Sequence, residues 1–391
     1  MDRSANAPLT VPRGEMEPGT HARRVIFIDL ARAIAVVMMV FGHTSSALLA
    51  RQYQSGDWYE AWQFQRGLTS SLFMLLSGFA FSIATARHWA SHMQLSRALA
   101  KRVRRFSLFL VLGYALHLPV ANIWSFAGIG ADRWSTFLAV DVLQLIGATF
   151  LFVQGLAMAL RSRRLFMVVS FVLGTLMIVF TPAVWRYDWM AVMPEGLAAY
   201  IYPGHGSLFP LFPFAASVLL GAAGGQLYAR WGAARLVTFA NGVLLGGGGV
   251  LVAIGMLWRW THFDPYGPGE GQFIPGEFIL RTGVSMVILA GVAHASRRIT
   301  RLPHLFGAVA QESLLVYFVH LCIIYGSVWN SGLMQYVGDT LSPAQTLPFV
   351  SALVIAMILM AWYWNWYKHH RPRAARWVVA VVAILMVGRL L

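Results

Sequence analysis

Apolar runs long enough to cross a lipid bilayer recur along nearly the whole chain, and few folds accommodate them. Crossing about 30 Å of hydrocarbon at about 1.5 Å of rise per residue takes roughly 20 residues. Ten or eleven such runs are present, near 25–49, 67–86, 106–126, 136–160, 165–185, 208–229, 236–257, 276–295, 307–329, 345–367 and 377–391, the last being the shortest. Hydrocarbon offers no partner for backbone N–H and C=O groups, so each run must close its hydrogen bonds within itself as a helix. The expected fold class is therefore all-α, a polytopic membrane helical bundle of 10 to 11 transmembrane helices. With 58% hydrophobic and 12% charged residues among 391, the composition lies outside the range of water-soluble domains.

A net charge of +15 would suit a nucleic-acid binder, but the basic residues fall between the runs rather than on a soluble domain. When the gaps are numbered alternately, 22 Lys or Arg fall on one side of the membrane. Five fall on the other: Arg51, Arg66, Arg133, Arg186 and Arg259. Positive loops are retained in the cytoplasm, so the N-terminus is expected to be cytoplasmic, in a multi-pass protein of the inner (plasma) membrane. Residues 1–24, polar and containing Pro8, Pro12 and Pro18, read as a disordered cytoplasmic tail and not as a secretory signal. Residues 25–391 read as one membrane domain without internal repeats. The single cysteine, Cys322, permits neither an intramolecular disulfide nor a thiolate zinc site, and no metal is expected.

The first run, FIDLARAIAVVMMVFGH from 27 to 43, carries Asp29, Arg32 and His43. Each ionisable group costs at least ~2.5 kcal/mol in mid-bilayer, which makes it a functional candidate. Eleven helical steps bring Arg32 and His43 onto one face about 16 Å apart along the axis, and Asp29 stands one turn from Arg32, where it can pair with the guanidinium. With the N-terminus inside, this stripe climbs from the cytoplasmic surface to the outer half of the membrane. The next cytoplasmic loop, RHWASHMQLSRALAKRVRR, holds Lys101, Arg102, Arg104 and Arg105 and no acid. Such loops are basic by topology, can meet anionic lipid headgroups, and can also dock a phosphorylated cytosolic ligand.

Further intramembrane polar positions are His117, Asp141 and Gln144, Arg281, and Glu312 with His320 on the ninth run. His294, His262, His369 and His370 read as loop or interfacial residues. The outward segment PEGLAAYIYPGHGSLFPLFPF breaks regular structure with Pro and Gly, and His205 within it is a candidate for the outer rim of a site. Ser77 and Gly78 in LFMLLSGFAFS read as close helix packing.

The pattern Asp, two residues, Arg, ten residues, His in a first membrane helix resembles the multi-pass transmembrane acyltransferases, both acyltransferase family 3 and the heparan-alpha-glucosaminide N-acetyltransferase group. LFMLLSGFAFSIA, DVLQLIGATFLF, HGSLFPLFPFAASVLLGAAGGQLY and ESLLVYFVHLCIIYG look more like the second group and its bacterial relatives. Two departures stand out. Ala33 replaces the glycine that usually follows the arginine, and residues 1–24 offer no counterpart to the large lumenal domain that precedes the first span in the animal enzymes.

The resemblance implies transfer of an acyl group, usually acetyl, from cytosolic acyl-CoA to a glycan or amino-sugar acceptor on the outer face. Acetyl-CoA would be the co-substrate and membrane lipids the surroundings, with no nucleic acid and with homo-oligomerisation left open. It further implies that Asp29, Arg32, Lys101, Arg102, Arg104, Arg105 and His320 serve the acyl-CoA, that His43 and Asp141 are catalytic, and that His205 touches the acceptor. His43 would act as general base or carry the acyl group itself. O-acylation of a surface polysaccharide or lipid-linked glycan is the nearest alternative. A proton-coupled transporter, with the intramembrane Asp, Arg and His as a relay, is the alternative from another class.

Overall fold

The computed structural model describes residues 25–204, 206–261 and 275–391. The tail 1–24, His205 and His262 lie outside the described residues. Thirteen helices carry the architecture: α1 Ile26–Leu48, α2 Asp57–Arg87, α3 Trp89–His92, α4 Arg97–Leu116, α5 Val142–Leu160, α6 Arg163–Trp185, α7 Leu211–Trp231, α8 Ala233–Thr261, α9 Pro275–Ser296, α10 His304–Gln311, α11 Ser313–Tyr325, α12 Pro343–His370 and α13 Pro372–Gly388. Among the described residues eight helices are long and apolar enough to cross a membrane, and the bent pair α10–α11 makes a ninth. Two expected runs fall on helices outside that set. The N-terminal half of α4 carries Arg97, Lys101, Arg102, Arg104 and Arg105, and α13 is 17 residues long. The chain is an all-α polytopic membrane bundle.

Helix α1 lies at its centre, touching α2, α9, α10, α11 and α12. Alanines at 31, 33, 35 and 47, all buried, let these neighbours approach closely. At its C-terminal end the chain leaves in extended conformation, and the backbone N–H of Ala50 donates to the Leu341 carbonyl just ahead of α12 (2.9 Å). Helices α2 and α7 meet backbone to backbone, because a side chain at Gly78 would occupy the Val218 carbonyl and one at Gly221 the Leu75 carbonyl. The Ser82 hydroxyl crosses the seam to the Ala222 carbonyl at 2.6 Å. The packing reading of Ser77–Gly78 therefore holds.

Two expected spans are broken. The run from 136 to 160 divides into a short helix, Ala131–Leu138, and α5, so Asp141 is not a mid-helix residue. It is the N-cap of α5, its Oδ1 accepting the Val142 N–H at 2.7 Å. A short polar side chain that satisfies an orphan N–H favours such a start over a continued helix. The run from 307 to 329 bends by 73° between α10 and α11, at Glu312.

Alanine at Gly221 is expected to cost about 1–3 kcal/mol through overpacking of the α2–α7 seam. Alanine at Gly242, where nothing lies within 4 Å, should be neutral or slightly stabilising. Thermal unfolding in detergent measures both.

Candidate active site

Between α1, α2, α4, α5, α11 and α12 lies a cavity of about 770 Å³. Five phenylalanines, Phe73, Phe81, Phe106, Phe109 and Phe150, form an apolar wall. At one end stand Arg87, His88 and His92 from α2 and α3, Arg102 and Arg105 from α4, and Lys368 and His369 from the end of α12, with Arg32 of α1 also lining the space. From Arg87 the cavity follows α2 to Phe73, fourteen residues or about 21 Å. Leu143, two residues past Asp141, and Tyr317, one turn before His320, line it as well.

The basic end is built with care. Arg102 donates to His92 Nδ1 (2.7 Å) and Thr85 Oγ1 (2.8 Å) while its guanidinium lies over the Phe81 ring at 4.5 Å. Glu312, 5% exposed at the α10–α11 break, accepts from Asn365 at 2.8 Å and from the Lys368 ammonium at 2.7 Å. A buried carboxylate needs such partners, and here they hold the bend in place. Arg32 stands 4.0 Å from Asp29, the expected one-turn pair.

Beyond Tyr317 is a second cluster. The rings of His43 and His320 are 5.4 Å apart, and His43 Nδ1 lies 3.3 Å from the Tyr325 hydroxyl. His320, fully buried, donates from Nδ1 to the Val316 carbonyl at 2.8 Å, which leaves Nε2 as a bare lone pair without a hydrogen-bond partner. The Asp141 carboxylate lies 3.8 Å from His117 Nε2 at the end of α4, and it acts on both His43 and His320 electrostatically. On the far side of Asp141 the segment ahead of α7 is pinned to the start of α5. The N–H of Phe209 donates to the Val140 carbonyl (3.0 Å) and the N–H of Val140 to Ser207 Oγ (2.9 Å).

A model of the heparan-alpha-glucosaminide N-acetyltransferase catalytic family matches residues 24–255, more than half of the chain. The chain belongs to that family. It is thus a transmembrane acetyltransferase. Comparison with curated proteins finds no match.

Within this heparan-alpha-glucosaminide N-acetyltransferase family member, the matched segment holds Asp29, Arg32, His43, the basic loop and Asp141. Glu312, Tyr317, His320, Tyr325 and Lys368 lie beyond it. Of the residues singled out in sequence, Arg32, Arg102 and Arg105 line the cavity, and His43, His320 and Asp141 gather beyond it. Lys101 and Arg104 are exposed on α4 and do not line it. Asp141 makes no hydrogen bond to His43; His117, given no role in sequence, is its partner. His369, read as a loop or interfacial residue, lies in the last turn of α12, which continues to His370, and lines the cavity. Arg87, His88, His92 and Lys368 were visible in sequence only as part of basic stretches, and Asn365 and Tyr317 carried no signal beyond a polar atom in an apolar run.

Burial, then Arg102 and His88, push the His92 imidazole down to about 4 from the ordinary 6.5. An unfolded chain therefore binds more protons than the folded one between those values, so this group lowers stability as pH falls from about 6.5 toward 4. In His92→Gln that share of the acid sensitivity should vanish, read as a flatter dependence of the melting temperature on pH.

Proposed function

We propose that this acetyltransferase takes acetyl from cytosolic acetyl-CoA and delivers it to an amino sugar on the extracytoplasmic side. One observation carries the reading: a cavity with cations at one end and an apolar shaft leads to Tyr317, beside paired histidines. An extended phosphopantetheine, of the order of 15–20 Å, matches the roughly 21 Å over which the cavity follows α2. The charge asymmetry of the loops supports a cytoplasmic basic end in the inner membrane.

Arg87, Arg105 and Lys368 would meet the nucleotide phosphates, and Arg32, held by Asp29, would direct its fork of donors at the last phosphate or at a pantetheine carbonyl. Arg102 supports that surface and is itself occupied by His92 and Thr85. His43 would remove the proton of the attacking amine as a neutral imidazole, oriented by Tyr325. The Asp141 charge nearby stabilises the imidazolium that forms. The alternative, in which His43 carries the acetyl group, uses the same geometry and would show ping-pong kinetics. Ser207 and Phe209, bonded to Val140, hold their segment beside Asp141, which supports acceptor entry from that side.

The test is purified protein in detergent with radiolabelled acetyl-CoA and glucosamine. His43→Ala should lose on the order of 10²-fold or more in acetyl transfer while still binding acetyl-CoA by calorimetry. Arg32→Gln should raise the KM for acetyl-CoA about tenfold, the loss of one charge-assisted contact. Undiminished transfer by His43→Ala would contradict the assignment.

A further inference from the structure

Tyr317 stands where the cavity ends and the histidine cluster begins. It lines the cavity, is 3% exposed, and packs its ring edge-on against His320 at 5.5 Å. Its hydroxyl has no hydrogen-bond partner among the described residues, although a buried phenol ordinarily finds one. Its ring contacts His320, whose ring lies 5.4 Å from that of His43, so Tyr317 stands between the cavity and the His43 cluster. Two other polar groups of the cluster have no proton to give there. Asp141 is an acceptor, and His320 spends its one N–H on the Val316 carbonyl, while the Tyr325 hydroxyl accepts from His43 Nδ1 when that imidazole serves as base at Nε2.

We infer that Tyr317 is a catalytic residue, its hydroxyl the hydrogen-bond donor to the thioester oxygen as that oxygen takes on negative charge. The inference rests on the acetyl-CoA reading above and adds to it the group that stabilises the transition state. As the acceptor nitrogen attacks the carbonyl carbon, a C–N bond forms and the C=O π pair moves onto oxygen, while the Tyr317 O–H donates a hydrogen bond and keeps its proton. His43 takes the proton of the attacking nitrogen. Collapse restores the carbonyl and breaks the C–S bond, and CoA departs as thiolate with its electron pair. A donor fixed in a water-poor site, aimed where charge develops, stabilises the transition state more than the ground state. A hydroxyl without a protein partner on the cavity wall is the feature such a donor shows before substrate arrives.

Tyr317→Phe removes one oxygen and keeps the ring that packs on His320. The expected result is a fall in kcat of about 10²–10³-fold, with the KM and the calorimetric affinity for acetyl-CoA within twofold of the unaltered protein. A kcat within twofold of the unaltered protein would overturn the inference. So would a loss of donor binding matching the loss of rate, since Tyr317 would then only shape the cavity. Failure of the underlying reading looks different: the unaltered protein would transfer no acetyl to glucosamine, or His43→Ala would transfer it unimpaired.

Discussion

A guanidinium or an imidazole in mid-bilayer costs at least about 2.5 kcal/mol unless protein or water surrounds it. Arg32 and His43 are carried on one helix, and the bundle is arranged to enclose that helix. Helices α2, α9, α10, α11 and α12 all touch α1, which small residues on its buried faces permit, and the charged stripe is turned toward a cavity and a polar cluster. Asp29 compensates Arg32 from one turn away, while Tyr325 and His320 receive His43. The glycine seam of α2 and α7 adds to this enclosure by packing α2, which lines the cavity, tightly against its neighbour.

The same constraint explains the broken elements. A continuous ninth span would place Glu312 in hydrocarbon. Bent by 73°, it brings the carboxylate to Asn365 and Lys368 at the cavity edge and leaves α11 to carry Tyr317, His320 and Tyr325 toward His43. Likewise α5 begins at Asp141 instead of passing through it, so the carboxylate faces His117. Irregular backbone at membrane depth is tolerated where it lines a cavity, as the Glu312 break does, or where protein groups satisfy it, as Ser207 does for the Val140 N–H beside Asp141.

The all-α bundle was legible because hydrocarbon leaves a spanning segment one way to satisfy its backbone. Arg32 and His43 were legible because a charged group in an apolar run stands out and helical periodicity sets their common face. The partners that complete the site were not. Tyr317 and Asn365 belong to helices more than 250 residues away in sequence, and periodicity within one helix says nothing about which helix faces another. Lys101 and Arg104 illustrate the converse. A basic run identifies a surface, but the 100° step of a helix sends only some of its residues, here Arg102 and Arg105, into the cavity.

The central claim is that donor and acceptor meet from opposite sides of the membrane. Proteoliposomes of known orientation, with radiolabelled acetyl-CoA confined to the side of the basic loops and glucosamine to the other, test it directly. The expected result is labelled N-acetylglucosamine on the acceptor side and free CoA on the donor side, with no product when the two compartments are exchanged. Product formed only when both substrates share one compartment would contradict it.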